Sequence, residues 1–165
     1  MRKISPFLFL IGLLFLAACG KEKVVFEKNY DLKNEQWTYA DTLNFDFQIA
    51  DTMAIYDLVL NVKHGSNYPM QNIYTNIYTQ FPSGERIKQL LNVNLADNTG
   101  KWEGKCSSNT CNFEVKIQEN AFFNAIGKHT IKLEQYMRVE SLAGVKSVSL
   151  KVIDKGVKRD LSKKK

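Results

Sequence analysis

Apolar residues recur at every second position through much of this chain, and that alternation restricts its fold more than any other feature. Leu43, Phe45, Phe47 and Ile49 alternate with Asn44, Asp46 and Gln48. Successive side chains of a strand point to opposite faces, so the pattern describes a strand with one buried and one wet face. Tyr56, Leu58, Leu60 and Val62 alternate with Asp57, Asn61 and Lys63, and Val59 adds an apolar residue to the second face. Ile73, Thr75, Ile77, Thr79 and Phe81 share a face, Pro82-Ser83-Gly84 turns the chain, and Ile87, Leu91, Val93 and Leu95 return as the second arm of a hairpin. Phe113, Val115 and Ile117 form another set, followed by His129, Ile131, Leu133 and Met137, and then by Val148, Leu150 and Val152. With 24–30 as a first strand, eight or nine short strands are expected. The helical candidate is Asn120 to Ile126, two turns at most, bounded by Gly127. This spacing predicts an all-β, antiparallel β-sandwich, jelly-roll-like or Ig-like, with a closed barrel as second choice. A membrane-spanning barrel would need apolar outward faces, and these are polar.

The N-terminal segment has a different character. Arg2 and Lys3 precede an apolar run from Phe7 to Leu16, which ends in Leu16-Ala17-Ala18-Cys19. A charged start, a short apolar middle and small residues before a cut site are the parts of a secretory signal peptide. The run is too short for a transmembrane helix, which needs about 20 apolar residues. A Cys at the cut site resembles the lipobox of bacterial lipoproteins, whose Cys receives a diacylglycerol and an N-acyl chain and becomes the first residue of the mature protein. Residues 1–18 are then a lipoprotein signal peptide, 19–23 the lipidated Cys and a tether, 24–153 the sandwich, and 154–165 a basic, disordered tail. One acyl chain holds a protein only marginally at a membrane, whereas two or three make a stable anchor.

The net charge of +6 averages three unlike segments. The signal peptide carries +2, residues 151–165 carry +5, and residues 19–150 carry −1. A nearly neutral folded domain argues against nucleic acid as a partner, since such readers carry a basic stripe on the domain itself. The lysines at 163–165 read as a solvated end, with an anionic surface as the functional alternative.

Cys106 and Cys111 flank Ser107-Ser108-Asn109-Thr110. Export places them where a disulfide persists, and four polar residues suit a hairpin tip. A metal site is the weaker reading, because the two thiols have no nearby His and no second Cys pair. No metal or other cofactor is expected beyond the lipid on Cys19.

No catalytic constellation stands out. His64 reads as an exposed strand end beside Gly65, and His129 begins a strand; neither lies in a motif with Ser, Cys or carboxylate. Asp41, Asp46, Asp51 and Asp57 fall within 17 residues. A glycosidase pair would need Asp46 and Asp57 to face each other across paired strands; the plainer reading is the solvated face of an edge hairpin. Asp97-Asn98-Thr99-Gly100 reads as a turn rather than a calcium loop. The face opposite Ile73, Thr75 and Ile77 carries Asn72, Tyr74, Asn76, Tyr78 and Gln80. Rings beside amides suit contact with a protein or a glycan, and they also suit the plain outer surface of a sheet.

Several stretches together resemble a known family. Trp37-Thr38-Tyr39-Ala40-Asp41-Thr42-Leu43, Gln80-Phe81-Pro82-Ser83-Gly84, Leu95-Ala96-Asp97-Asn98-Thr99-Gly100-Lys101-Trp102, Ile117-Gln118-Glu119-Asn120-Ala121 and Leu133-Glu134-Gln135-Tyr136-Met137-Arg138 resemble, in that order, the gliding-motility lipoproteins of the GldH family. The resemblance runs from about residue 16 to 153 and implies a cell-envelope lipoprotein of gliding Gram-negative bacteria. It would be anchored at the outer membrane and would act by binding other gliding or type IX secretion proteins. The family is not known for enzymes, so only Cys19 carries over, as the lipidated residue. One departure matters: Gly20-Lys21-Glu22-Lys23 lacks the acidic cluster common in surface-displayed lipoproteins of these bacteria, which favours the periplasmic face. A surface glycan-binding lipoprotein is the alternative, and a hydrolase the third.

Overall fold

The alternating segments become strands, paired antiparallel throughout. The computed structural model describes residues 21–162; the signal segment 1–18, Cys19 and the lysines at 163–165 lie outside the described residues. The strands are β1 (Lys23–Asp31), β2 (Gln36–Thr38), β3 (Thr42–Ile49), β4 (Ala54–Gly65), β5 (Asn72–Gln80), β6 (Arg86–Asn94), β7 (Lys105–Ser107), β8 (Thr110–Ala121), β9 (Gly127–Gln135), β10 (Ser141–Ala143) and β11 (Val145–Lys158). A 3-10 turn, Lys33–Glu35, follows β1. Strands β2, β7 and β10 have three residues each; the others are the eight that the alternation marks out.

One sheet runs β1-β11-β4-β8-β7, the other β3-β9-β5-β6, and β2 pairs with β10. Counting only the eight long strands, the first sheet takes the first, last, third and sixth, and the second takes the second, seventh, fourth and fifth. That interleaving is the jelly roll of two Greek keys, and it decides between the two sandwich topologies expected. The apolar faces meet between the sheets. Phe45, Ile131, Leu133, Leu60, Leu150, Val148 and Val152 are fully buried there. Along one flank the sheets are closed by rings: Tyr30 of β1 meets Phe45 of β3 edge-on at 5.3 Å, and Phe26 meets Phe47 at 5.6 Å. The β2–β10 ribbon caps one end with Trp37 and Leu142, both buried.

Three expectations are corrected. Asn120 to Ile126 forms no helix: Asn120 and Ala121 finish β8, and Phe122–Ile126 is a loop. Asn120 has a left-handed backbone (φ 51°) and gives its N–H to the Asp57 carboxylate at 2.9 Å, and seven residues are too few to offset helix nucleation. The basic tail does not start at 154. Strand β11 continues to Lys158, because Lys155 bonds Asn120 at 2.8 Å, Lys158 pairs with Asp51, and the Arg159 N–H bonds the Met53 carbonyl at 2.8 Å. Asp46 and Asp57 do not share the solvated face of an edge hairpin: β3 and β4 belong to different sheets, so the two do not face each other, and Asp57 is buried on the central strand β4.

Cys106 and Cys111 stand directly opposite each other at the β7–β8 hairpin, joined by a disulfide with their Cα atoms 4.0 Å apart. The purified protein, denatured without reductant, is therefore expected to leave both thiols unalkylated by iodoacetamide; mass spectrometry finding either one labelled would rule the bond out.

Candidate functional site

The two outer faces of the sandwich differ in kind. On the five-stranded sheet, charges are mutually satisfied. Lys151 lies 3.6 Å from both Glu27 and Glu114, and Asp57, itself buried, pairs with Lys116 at 2.9 Å and Lys155 at 3.7 Å. Burial pushes the Asp57 carboxyl up, but the Asn120 N–H and the two lysines outweigh it, and the net direction is down. Val59 is buried on this same face, shielded by the stems of Lys116 and Lys151, its cross-strand neighbours.

The outer face of the four-stranded sheet carries the rings. Tyr78 is flanked by two ammonium groups, Lys132 at 4.4 Å and Lys88 at 5.3 Å from its centroid. Lys132 also pairs with Glu134 at 2.7 Å; that contact and the Tyr78 hydroxyl hold the Glu134 carboxyl below its usual range against the opposing effect of burial. Toward the β2–β10 end the face opens into a groove of about 1110 Å³. Tyr39, Met70, Tyr74, Leu90, Tyr136 and Val139 line it. Tyr136 is 59% exposed and Leu90 58%, an unusual concentration of apolar surface for one patch. Arg138 lines the same groove; it and Lys88, which lies 5.9 Å from the Tyr136 ring, make no ion pair among the described residues.

The loop after β9 builds the groove wall, and Gln135 holds the loop. Its buried amide donates to the carbonyls of Val139 at 3.1 Å and Glu140 at 3.2 Å, and its oxygen accepts the Met137 N–H at 2.9 Å. The Tyr136 N–H bonds the Tyr74 carbonyl at 2.7 Å, and the Tyr39 hydroxyl donates to the Met137 carbonyl. Five residues are thus fixed while Tyr136 and Val139 face outward.

Of the five residues singled out on β5, Gln80 accepts from the Arg86 Nε at 3.0 Å, and of the other four the structure leaves one open. Tyr74 is exposed and faces the groove; Asn76 is buried beneath it, Tyr78 lies between its lysines, and Asn72 is bonded to Asn92 at 2.8 Å. Sequence reasoning passed over Tyr39, Leu90, Tyr136 and Val139. Leu90 had a signal: Ile87, Leu91 and Val93 share the inward face of β6, and Leu90 breaks that alternation.

His64 is not an exposed strand end but fully buried, its ring 4.6 Å from Trp102 and 5.7 Å from Tyr68. His129 is equally buried, 4.7 Å from the Phe123 ring and 5.9 Å from Phe47. Each Nδ1 bonds a carbonyl, Gly65 at 2.9 Å and Gly127 at 3.2 Å, so Nδ1 carries the proton and Nε2 presents a bare lone pair without a partner. Desolvation lowers both pKa values, against a smaller opposite effect of those hydrogen bonds. The carboxylates do structural work. Asp41 accepts from the Thr38 N–H at 2.8 Å and its hydroxyl at 2.7 Å, Asp46 accepts from Thr130 at 2.6 Å, and Asp51 caps Met53 at 2.7 Å.

A profile described as GldH lipoprotein matches residues 24–152. A gliding motility lipoprotein GldH homolog of Christiangramia forsetii is 24% identical over 155 residues, covering 90% of this chain and 94% of that protein. The gliding motility lipoprotein GldH of Flavobacterium johnsoniae is 24% identical over 162 residues, covering 94% and 99%. Among solved structures, a family 35 carbohydrate binding module from an environmental isolate aligns over 78% of this chain and 87% of its own at 14% identity, with a TM-score of 0.31; a likeness of that size carries no argument.

Two outcomes are expected from this geometry. Both histidines are neutral in the fold with pKa values below that of the unfolded chain, so protonation favours unfolding. Stability is then full above about pH 6.5 and falls as pH drops through that value; a urea midpoint unchanged between pH 7.5 and 5.5 would refute this. Gln135→Leu removes the amide that anchors the loop and leaves three backbone groups without their partner, at a cost of about 1–3 kcal/mol. Limited proteolysis should then cut at Tyr136–Arg138, where the parent protein resists; equal resistance would refute the anchoring role.

Proposed function

Because the chain belongs to the GldH lipoprotein family, we propose that it is a lipid-anchored component of the gliding machinery, linked to type IX secretion, that acts by binding a protein partner. In this reading residues 1–18 are removed and Cys19 carries the diacylglycerol and N-acyl chains. The anchor is in the outer membrane. The domain faces the periplasm, in keeping with Gly20-Lys21-Glu22-Lys23, which lacks an acidic cluster. The observation that carries protein binding is the groove. Fixed rings and aliphatic side chains form an apolar centre; Arg138 lines it and Lys88 lies 5.9 Å from the Tyr136 ring, both without ion pairs among the described residues. An apolar centre with a charged rim is the anatomy of a protein interface, and its unpaired cations suit a partner that brings carboxylates. Catalysis is not part of the proposal, since Asp41, Asp46, Asp51 and Asp57 are each engaged in capping, hydrogen bonds or ion pairs.

A glycan reading has one observation in its favour, the open rings of Tyr74 and Tyr136. Against it, the ring of Tyr78 already has two ammonium groups at its face, where a sugar would stack. A glycan array separates the two, because binding that disappears in a Tyr74→Ala/Tyr78→Ala variant would favour the sugar.

Protein binding is tested by photo-crosslinking in cells. A benzophenone amino acid at Tyr136 is expected to capture a discrete partner that the same probe at Asn29, on the first sheet, does not. Tyr136→Ala combined with Leu90→Ala should weaken purified-partner binding about tenfold or more, as loss of central apolar anchors does. Equal capture at both positions, or unaltered affinity in the double variant, would remove the groove from the interface.

A further inference from the structure

Twelve large hydrophobic side chains are exposed among the described residues, and all but Ile87 fall into two groups. Tyr39, Tyr74, Leu90, Tyr136 and Val139 belong to the groove. Val24, Val25, Phe122, Ile126, Val157 and Leu161 gather at the other end of the sandwich. The pairing register places them there. Lys23 sits opposite Asp154, Lys158 opposite Ala54, Tyr56 opposite Ala121 and Ile49 opposite Gly127. So the start of β1, the end of β11, and the β3–β4 and β8–β9 loops share one end.

That same end is where the chain leaves toward Cys19. Four residue steps separate Cys19 from Lys23, and they span at most about 14 Å when fully extended. A lipid on Cys19 therefore holds this end within about 14 Å of the headgroups, while β4 alone extends the sandwich about 35 Å away from it. We propose that this end is a bilayer-seating surface, in which Phe122, Ile126, Val157 and Leu161 enter the lipid interface beside the anchor. The inference rests on lipidation of Cys19 and adds to it an orientation and a second contact.

The charges at this end fit a lipid surface. Three of its carboxylates are engaged: Asp51 pairs with Lys158, Asp154 accepts the Gly156 N–H at 2.8 Å, and Asp160 accepts the Ser162 N–H at 2.9 Å. The guanidinium of Arg159 lies 4.9 Å over the Phe122 ring and makes no ion pair among the described residues. A ring entering the acyl boundary with a guanidinium beside it at phosphate level is the arrangement of an interfacial side-chain pair. Ile126 is 64% exposed and Leu161 61%. Apolar side chains so exposed, held by a short tether against a bilayer, have lipid as their nearest cover. Depths of about 5–10 Å are usual for such faces.

The native tryptophans supply an internal control, because Trp37 and Trp102 both lie at the far end: Trp37 in the capping ribbon, and Trp102 bonded to the Ser66 carbonyl at 3.0 Å. The full lipidated protein, reconstituted into phosphatidylcholine–phosphatidylglycerol vesicles with brominated acyl chains, is compared with Phe122→Trp and Ile126→Trp variants. Each introduced indole should lose about half or more of its emission relative to unbrominated vesicles, while native Trp37 and Trp102 remain unquenched. Mass spectrometry of the Cys19 peptide reports the anchor separately. Lipid on Cys19 with no quenching at 122 or 126 would overturn the seating surface and leave the anchor standing. An unmodified Cys19 would overturn the anchor and, with it, the seating surface.

Discussion

The pairing of β11 with β4 is the constraint on which the rest of the sandwich depends. These are the two longest-paired strands at the middle of the five-stranded sheet, and their register sets Val148 opposite Val62, Leu150 opposite Leu60 and Val152 opposite Leu58. All six are buried. A slip of one residue would turn this set to solvent and bring Ser147, Ser149 and Lys151 into the core, so the register is strongly specified. β1 and β8 flank this pair on either side, and the facing sheet closes over their common apolar surface. Because β1 and β11 come from opposite ends of the sequence, the core is complete only when the termini have met. Such long-range pairing makes folding slow, and the cross-strand disulfide at β7–β8 lies in a locally formed hairpin that does not depend on it.

From that register follows a division of the surface by position. In an antiparallel jelly roll every loop falls at one end or the other, so exposed apolar residues in loops are sorted into two groups by topology alone. One group lies with the start of β1. The other is carried by Tyr39, the segment before β5 and the loop after β9, at or beside the end capped by β2 and β10. A tether of four residues leaves little freedom to exchange the two ends. In the proposed setting the groove therefore stands off the bilayer by most of the length of the sandwich, about 25–35 Å at the rise of a strand, and presents itself to partners beside or beyond the membrane surface.

The alternation made the strands legible, with the β5–β6 hairpin and the Cys106–Cys111 pair, because each depends on spacing within one segment. What escaped depends on contacts between segments. His64 sits next to a glycine turn, and nothing local shows that Trp102, more than thirty residues later, covers it. Asp57 occupies a position that reads as solvated in an edge strand. β4 is central, however, and Lys116 and Lys155 come from the strands on either side to satisfy the buried carboxylate. Asn120 to Ile126 has a helix-like composition, but Phe123 is drawn into the core against Tyr56 and His129, and tertiary packing overrides local propensity. The candidate site was half legible. Tyr74 and Tyr78 were visible as outward residues, but the lysines that cover Tyr78 lie on two other strands, and no pattern in β5 reveals them.

The groove also answers a physical difficulty that any exposed apolar patch raises. Loops that order on binding lose conformational entropy, and that loss is subtracted from whatever the contact gains. Here Gln135 makes the expenditure at folding. One buried amide satisfies three backbone groups of the following segment, and Tyr136 and Tyr39 are tied to the same frame by main-chain and hydroxyl bonds. The rings and Val139 are already held in place before a partner arrives. Met137 of this loop packs back against the core, but a surface loop with no binding role would have little to gain from a buried glutamine that also holds Tyr136 and Val139 outward, where both are exposed. The polar core residue and the exposed apolar ones are thus two halves of one arrangement, and the buried half gives the stronger argument that the exposed half is a binding surface.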